Sequence, residues 1–240
     1  MSKLEHSHRS EDIKERLLQV GNPNYIRDFI YGSIDGTVTT FAIVSGVVGA
    51  GMSNQAIIIL GLANVLADGF SMASSNYLGT KSEIDERNLI HRYEKEQIAY
   101  KPEGEKEEIR QIFQMKGFTG PDLEKIVEVI SQNENEWLKI MMQEEYGFGL
   151  KMRNPWKSAI STFVAFVICG IVPLLPFMLN LRHDFFISSI FAAITFFLVG
   201  ALKSRWSLES FYMSGMKTLL IGAVSSAIAY LTGSFLEGRF

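Results

Sequence analysis

One apolar stretch near the N-terminus carries a carboxylate well inside it. Asp35 is the only charged residue between Asp28 and Ser53. A carboxylate near the centre of a membrane helix costs roughly 2.5–3.5 kcal/mol, so it usually lines an ion pathway or pairs with another group. The residues at spacings of three and four around it are polar or small: Asp28, Gly32, Thr39, Ala42 and Gly46. We interpret Asp35 as a candidate metal ligand, with a hydrogen bond to a neighbouring helix as the alternative.

A second polar row follows in the next apolar stretch. Asn64, Asp68, Met72 and Asn76 are each four residues apart, which places them on one helix face. Carboxylate and amide oxygens with one thioether sulfur suit Fe²⁺ better than Mg²⁺ or Ca²⁺, which prefer oxygen alone. Asn64, Asp68 and Met72 are therefore candidate ligands, although packing alone accounts equally well for the methionine. We expect the two rows to face a shared cavity.

The middle of the chain repeats acidic residues at helical spacing. Glu105 and Glu108 are three residues apart, and Glu145 lies within one turn of Met141 and Met142. Glu94 has further ionisable neighbours. Such acids are ordinarily solvated helix faces, and a methionine pair is ordinarily core. The methionine pair beside two glutamates is the less ordinary feature of this segment.

Charge divides the chain into regions. Residues 81–157 hold 29 of the 49 Lys, Arg, Asp and Glu residues. The flanking parts contain stretches of the length that spans a bilayer as a helix, roughly 17–25 residues: 28–53, 55–80, 158–181, 185–202 and 218–236. We therefore predict an all-α membrane protein with five transmembrane helices and a helical insert between the second and third.

The insert is expected to hold four helices, because caps and breakers divide it. They run over 83–99, 103–116, 121–131 and 134–146, with Pro121 in a first turn. A short amphipathic helix capped by Ser10 is expected to lie on the membrane, with Ile13, Leu17, Leu18 and Val20 on one side. The predicted regions are an arm (1–27), two spans (28–80), the insert (81–157) and three spans (158–240).

Lys and Arg placement predicts the orientation. The arm holds five of these residues, the insert 13 and the tail only Arg239. Since positive residues favour the cytosolic side, we expect the N-terminus and insert in the cytosol. The net charge of −3 offers no footprint for nucleic acid. A single cysteine, Cys169, excludes an internal disulfide framework, and the charged first 27 residues do not resemble a cleaved signal peptide.

Several separated motifs resemble the vacuolar iron transporter family of plants, fungi and prokaryotes, over about residues 25–236. They are Asp35-Gly-Thr-Val-Thr-Thr, Ser71-Met72 with Tyr77-Leu78 and Lys81-Ser82-Glu83, and Trp137-Leu-Lys-Ile-Met141-Met142-Gln-Glu-Glu145. The resemblance implies a homodimer with five membrane helices per subunit and a pore between the subunits. It implies export of Fe²⁺ from the cytosol against protons, with no enzymatic activity and no resident cofactor.

The resemblance also implies two sets of metal ligands. Asp35 and Met72 match pore ligands of the family, and a cytosolic metal-binding domain is implied by Glu94, Glu105, Glu108, Met141, Met142 and Glu145. The sequence departs from the pattern at two positions, since Asn64 stands where the plant-type pattern has a pore Glu, and Gln97 stands where the cytosolic pattern has another. Asp68, one turn beyond Asn64, is outside the pattern, and we consider it a candidate replacement.

Other functions are left open by the residues. Mn²⁺, or a broader divalent range that includes Zn²⁺ and Co²⁺, is the alternative cargo, because first-row selectivity depends on geometry and availability as well as ligand type. A membrane-bound di-iron enzyme requires Glu-x-x-His pairs on facing helices, and no predicted span holds one. A membrane-anchored metal buffer would not require Asp35 and Asp68. The membrane is expected to be the cell membrane in a prokaryote and the vacuolar membrane in a plant or fungus.

Overall fold

The computed structural model describes residues 7–19, 23–149, 151–237 and 239, and these form helices and turns without a strand. The α-helices are α1 (Ser10–Gln19), α2 (Ile26–Gly49), α3 (Asn54–Tyr100), α4 (Pro102–Met115), α5 (Gly120–Ser131), α6 (Glu134–Glu144), α7 (Pro155–Ile171), α8 (Leu175–Met178), α9 (Asp184–Lys203) and α10 (Phe211–Glu237). Short 3₁₀ turns join α7 to α8 and follow α9.

Five helical segments of the described chain are long and apolar enough to cross a membrane. They are Ile26–Gly49, Asn54–Tyr100, Pro155–Met178, Asp184–Trp206 and Phe211–Glu237. Each coincides largely with one of the spans predicted from hydropathy, but the predicted first and third spans run to Ser53 and Leu181, beyond the helix ends at Gly49 and Met178. The α-helix of the third gives way to the 3₁₀ turn Val172–Leu174, which contains Pro173, because proline lacks the N–H that would continue the helix. The all-α fold with five candidate spans is confirmed.

The second span differs from the prediction. We expected separate helices over 55–80 and 83–99, but α3 is one continuous helix of 47 residues. Lys81 marks the point where the sequence changes from apolar to charged. A change of polarity alters the solvent around a helix but leaves its backbone hydrogen bonds intact, and neither Gly nor Pro stands between Thr80 and Tyr100 to interrupt them.

The chain divides into two compact units. The first consists of the described residues up to Pro23 with Lys81–Arg153, and the second of Asn24–Thr80 with the described residues from Asn154 onward. In the first unit, α5 packs against α4 and α6. Apolar side chains from α3 to α6 form its core, among them Ile98, Ile109, Val127, Trp137 and Leu138.

Local signals set the helix starts of the first unit. Proline lies in the first turn of both α4 and α5, where its missing N–H costs nothing. The Asn133 side chain caps α6 by accepting hydrogen bonds from the backbone N–H groups of Asn135 and Glu136. In the arm, α1 begins at Ser10 itself. Val20, which we expected on the apolar side of that helix, lies outside the described residues.

Helix α2 is central to the second unit. It packs most extensively against α7 and α10, and also against α9. Gly32 and Gly36 face the backbone of α7 so closely that a Cβ at either position would overlap a carbonyl oxygen, at Thr162 and Phe166 respectively. The G-x-x-x-G spacing thus permits the close helix approach that it predicts, and α2 is held in a fixed register against α7.

Candidate metal sites

The two polar rows of the membrane unit face each other. Near one end, Asn76 Nδ2 donates a hydrogen bond to Asp28 Oδ1 at 3.0 Å. Deeper in the span, Asn64 Nδ2 donates to Thr39 Oγ1 at 3.4 Å. These two pairs fix an antiparallel register of α2 against α3.

That register sets Asp35 opposite Asp68, and the two carboxylates are close enough for their charges to interact. Asp35, Asn64 and Met72 are partly buried, whereas Asp68 is exposed on the surface of the single chain. Two like charges in a membrane segment repel each other unless a cation or proton lies between them. The pair is therefore a candidate position for a divalent cation, with the Asn64 oxygen and the Met72 sulfur on the same face of α3.

Asn76 lies on the same row as Asp68, and its side chain joins three helices by hydrogen bonds. Besides its bond to Asp28, its amide nitrogen contacts Thr162 Oγ1 at 2.7 Å and the Ser158 carbonyl oxygen at 3.4 Å. Its own oxygen accepts from Thr80 Oγ1 at 3.5 Å. The side chain thus links α3 to both α2 and α7. Asn76 continues the polar row, but its polar atoms already serve helix packing.

Two carboxylates are buried within the first unit. Glu94 on α3 is 2% exposed and Glu105 on α4 is 6% exposed. Tyr146 donates its hydroxyl to Glu94 Oε1 at 2.7 Å. Within the described residues, Oε2 of Glu94 and Oε2 of Glu105 have no hydrogen-bond partner. Burying a charged oxygen without a partner is costly, so a cation that reached either atom would offset that cost.

The carboxylates of Glu94, Glu105, Glu108 and Glu145 lie close enough together to repel one another. Burial, followed by repulsion from Glu108, Glu94 and Glu145, raises the pKa of Glu105 to about 7. Burial and, to a smaller extent, repulsion from Glu94 raise the pKa of Glu108. Burial, followed by repulsion from Glu94 and Glu108, raises the pKa of Glu145. Burial and its hydrogen bond to Glu94 raise the pKa of the Tyr146 hydroxyl. Since Glu108 and Glu145 are exposed, the cluster opens to solvent on their side.

The cluster is not a closed coordination site as it stands. Across the part of the chain that the structure describes, no group of three or more His, Cys, Asp and Glu side chains is arranged to hold one metal ion. Met141 and Met142 are 0% and 2% exposed and pack in the apolar core of the unit. Met142 also lines a small cavity beside His91. Side-chain movement would be needed before these carboxylates shared a cation.

Two contacts of these sites could not be predicted from the sequence. Tyr146 follows α6 and has no helical spacing that relates it to Glu94, which is 52 positions earlier. Thr39 was recognised as part of a polar face, but not as the partner of Asn64. Both contacts join distant segments, so no local pattern indicates them.

The five described helices that are long and apolar enough to cross a bilayer are those of a multi-pass membrane protein, and polar rows face each other on two of them. The VIT family profile matches residues 26–234. A vacuolar iron transporter of Plasmodium berghei (strain Anka) is 30% identical, over 98% of this chain and 91% of its own. Vacuolar iron transporter 1 of Oryza sativa subsp. japonica is 33% identical over 89% and 86%, and that of Arabidopsis thaliana is 32% identical over 88% and 86%.

The chain belongs to the VIT family, because the profile and these relatives cover nearly all of it. Members of this family are transporters rather than enzymes. The resemblance drawn from the sequence motifs is confirmed.

Proposed function

We propose that this protein exports Fe²⁺ from the cytosol across a membrane, in exchange for protons, as a homodimer. The observation that carries the proposal is the pair of acidic rows that face each other within the membrane segments of α2 and α3. The names of the relatives support iron as the cargo. Carboxylate and amide oxygens with one thioether suit a divalent first-row cation.

The proposed path uses four side chains of the rows. Asp35 and Asp68 supply negative charge, Asn64 an oxygen and Met72 a soft sulfur. Because the two carboxylates repel each other without a bound cation, protons compete with metal for them. Proton exchange would follow from that competition, since each metal ion that leaves the pair makes room for protons.

The exposure of Asp68 supports the homodimer. Asp68 is 14 positions after the start of α3, about 21 Å along a helix, and is therefore well inside the span. A carboxylate facing lipid there is unfavourable by roughly 2.5–3.5 kcal/mol. A second copy of the chain, with a water-filled path between the two α3 surfaces, would remove that cost. Asp35 and Met72 would then occur twice around the path.

We assign the first unit the role of gathering metal in the cytosol. The unpartnered oxygens of Glu94 and Glu105 support this role, and Glu108 and Glu145 give the cluster an open side. Met141 or Met142 would contribute a sulfur only after a rearrangement of the core. The excess of Lys and Arg in the arm and insert supports the cytosolic orientation. The membrane would be the cell membrane of a prokaryote or the vacuolar membrane of a plant or fungus.

Uptake into sealed proteoliposomes tests transport. The purified protein is reconstituted with an iron-sensitive dye inside, and Fe²⁺ is added outside with and without an acidic interior. We expect uptake that an acidic interior accelerates, and we expect Asp35→Ala to abolish it. Asp85→Ala is the matched control, because Asp85 is an exposed carboxylate paired with Lys81, and it should transport like the parent. Uptake by Asp35→Ala that equals that of the parent would contradict the role of Asp35 in the pathway. Repeating the assay with Mn²⁺ in place of Fe²⁺ tests manganese as the alternative cargo.

Calorimetry on the purified full chain tests the cytosolic site separately. Glu94→Gln/Glu105→Gln should weaken binding of Fe²⁺ or Zn²⁺ by roughly tenfold or more, because two anionic ligands are lost. Glu103→Gln/Glu136→Gln removes the same charge from exposed ion pairs and should bind like the parent. If both double variants bind the metal with the same affinity, Glu94 and Glu105 do not bind it and the first unit has only a structural role.

A further inference from the structure

A groove at one end of the membrane unit combines positive charge with an apolar wall. It has a volume of about 480 Å³ and lies where the start of α2 meets the end of α9. Arg27 and Lys203 lie along it with their side chains exposed. Ile30 and Ile34 form its apolar side, and Trp206 flanks it. No part of the metal pathway uses these five residues.

The positive charge of the groove is available to a ligand. Among the described residues, neither Arg27 nor Lys203 belongs to an ion pair. Glu209, whose carboxylate lies within electrostatic reach of Lys203, is held by an ion pair with Lys217. An anion of suitable shape would therefore meet two side chains that are not already neutralised.

The order of residues along α2 indicates what kind of anion fits. Arg27, Ile30 and Ile34 are spaced by three and four, so they share a helix face. Ile34 is about 10 Å further along the helix than Arg27. The face therefore changes from cationic to apolar in the direction that leads into the span. A small soluble anion would use only the cationic end.

We propose that this groove binds one anionic phospholipid of the surrounding bilayer. Its phosphate lies between Arg27 and Lys203, one acyl chain follows Ile30 and Ile34, and the Trp206 ring lies at the headgroup level, where tryptophan is enriched. Basic pockets between membrane helices are suited to such headgroups. The lipid joins the start of α2 to the end of α9. It therefore supports the helix that carries Asp35, and this binding does not depend on which ion is transported.

Native mass spectrometry of the full-length protein in detergent tests the proposal. Dioleoyl-phosphatidylglycerol and dioleoyl-phosphatidylcholine are titrated separately. We expect phosphatidylglycerol to bind at least ten times more tightly than phosphatidylcholine. Arg27→Ala/Lys203→Ala should lose that preference, since each basic group near an anionic headgroup raises the affinity several-fold. Arg182→Ala/Arg205→Ala removes the same charge from two exposed residues outside the groove and should keep the preference.

Two further arms distinguish a bound lipid from a soluble anion and from diffuse attraction. Inorganic phosphate and deacylated glycerophosphoglycerol should fail to displace the lipid; displacement by either identifies a soluble-anion site and overturns the proposal. A preference that survives Arg27→Ala/Lys203→Ala, or that Arg182→Ala/Arg205→Ala loses to the same extent, overturns it too, because the attraction is then diffuse. Where the double variant does not fold, Arg27→Gln and Lys203→Gln singly should each reduce the preference several-fold, and unchanged binding by both contradicts the site.

Discussion

Asp68 is the residue whose role separates this chain most clearly from the family pattern. It lies opposite Asp35 and one turn from Asn64, the position at which the resemblance to the plant-type pattern implies a glutamate. We hypothesise that the carboxylate has moved by one turn, about 6 Å along the helix, while Asn64 retains a neutral oxygen. The alternative is a solvated acid that only contacts water or a basic side chain.

Replacement of Asp68 distinguishes these two roles. Asp68→Asn should remove most Fe²⁺ uptake and its dependence on pH, because the site loses both an anionic ligand and the group for which protons compete. Uptake into proteoliposomes at several pH values measures both effects. Asn64→Glu/Asp68→Asn should recover much of the lost activity by returning the carboxylate to the family position. Transport by Asp68→Asn that matches the parent at every pH contradicts the hypothesis.

Glu105 makes the stability of the metal-free protein depend on pH. Its pKa in the folded chain is about 7, against 4.5 as the ordinary value, chiefly because it is buried and then because Glu108, Glu94 and Glu145 surround it. Between these pH values the folded chain retains a proton that the unfolded chain has released. The stabilising contribution is therefore complete below about pH 4.5 and is lost as the pH rises through 7.

We expect the metal-free protein to lose about 2 kcal/mol of unfolding free energy in its first unit between pH 5 and pH 8. Glu105→Gln should flatten this dependence and unfold at a higher temperature than the parent at pH 8 with chelator present. Thermal unfolding followed by tryptophan fluorescence measures both. Glu103→Gln, at an exposed ion pair, should leave the pH dependence unchanged. If the melting temperature of the parent rises from pH 5 to pH 8, ionisation of the buried Glu105 carboxyl does not destabilise the fold and the prediction is wrong.

The residue scale also shows where sequence reasoning ends. Helical spacing indicates most acids of the two sites, because i, i+3 and i, i+4 positions share a face whatever the tertiary structure, whereas a metal-binding role for Glu94 is implied only by the family resemblance. The same spacing favoured solvated faces for the central acids. Glu94 and Glu105 are instead buried, since α3 and α4 enclose them within a core that also includes α5 and α6. Burial is a property of the packed unit and leaves no local pattern.

At the scale of elements, hydropathy was sufficient to predict the five spans but not the length of α3. Apolar runs of membrane length have few alternatives to helices, because unpaired backbone groups are costly in lipid. The predicted break near Lys81 was wrong, because a polarity change is not a backbone break. One helix of 47 residues therefore carries Asp68 and Glu94, the candidates of both sites.

Gly36 tests the packing of α2 against α7. A Cβ there would overlap the Phe166 carbonyl oxygen and approach its Cα at 2.9 Å, and backbone atoms cannot move aside as a side chain does. Gly36→Ala should lower the free energy of unfolding by about 1–3 kcal/mol through overpacking and should reduce transport, because Asp35 is the preceding residue. The thermal midpoint in detergent and proteoliposome uptake measure the two effects.

Gly79→Ala is the matched control for that substitution. Gly79 is helical as well, but apart from the backbone of its own helix turn no described atom lies within 4 Å of the position its Cβ would take. Alanine there should be neutral or stabilise the helix by up to about 1 kcal/mol. If both variants unfold at the same temperature as the parent, the close approach of α2 and α7 is not a constraint on stability.

At the scale of the whole molecule, the membrane helices differ in how much of their surface the single chain buries. The apolar window of α2 is 56% buried, that of α3 is 28% buried and that of α10 only 6%, so low burial alone does not single out one helix. The exposed surface of α3 includes Asp68 together with Ala67 and Ser71, whereas Leu198 on α9 is exposed among apolar neighbours that suit lipid. Leu66 and Phe70 of α3 are exposed as well, but the carboxylate of Asp68 makes this part of the surface unsuited to lipid. It is therefore the surface that we expect a second copy of the chain to cover.

Cross-linking of engineered cysteines tests that surface in the full chain. The one native cysteine, Cys169, is buried in α7 and should not react, so Ala67→Cys and Ser71→Cys each introduce a single accessible thiol while leaving Asp68 intact. We expect a short bis-maleimide to convert most of either variant into a covalent dimer, at a yield that does not fall on dilution, because the partner is already in place. Leu198→Cys should remain monomeric on denaturing gels under the same conditions. Two outcomes contradict the dimer: equal cross-linking of Leu198→Cys, or no cross-linking on α3 while light scattering reports a monomer in detergent. In either case the exposed Asp68 must instead be solvated by water that reaches it within a single chain.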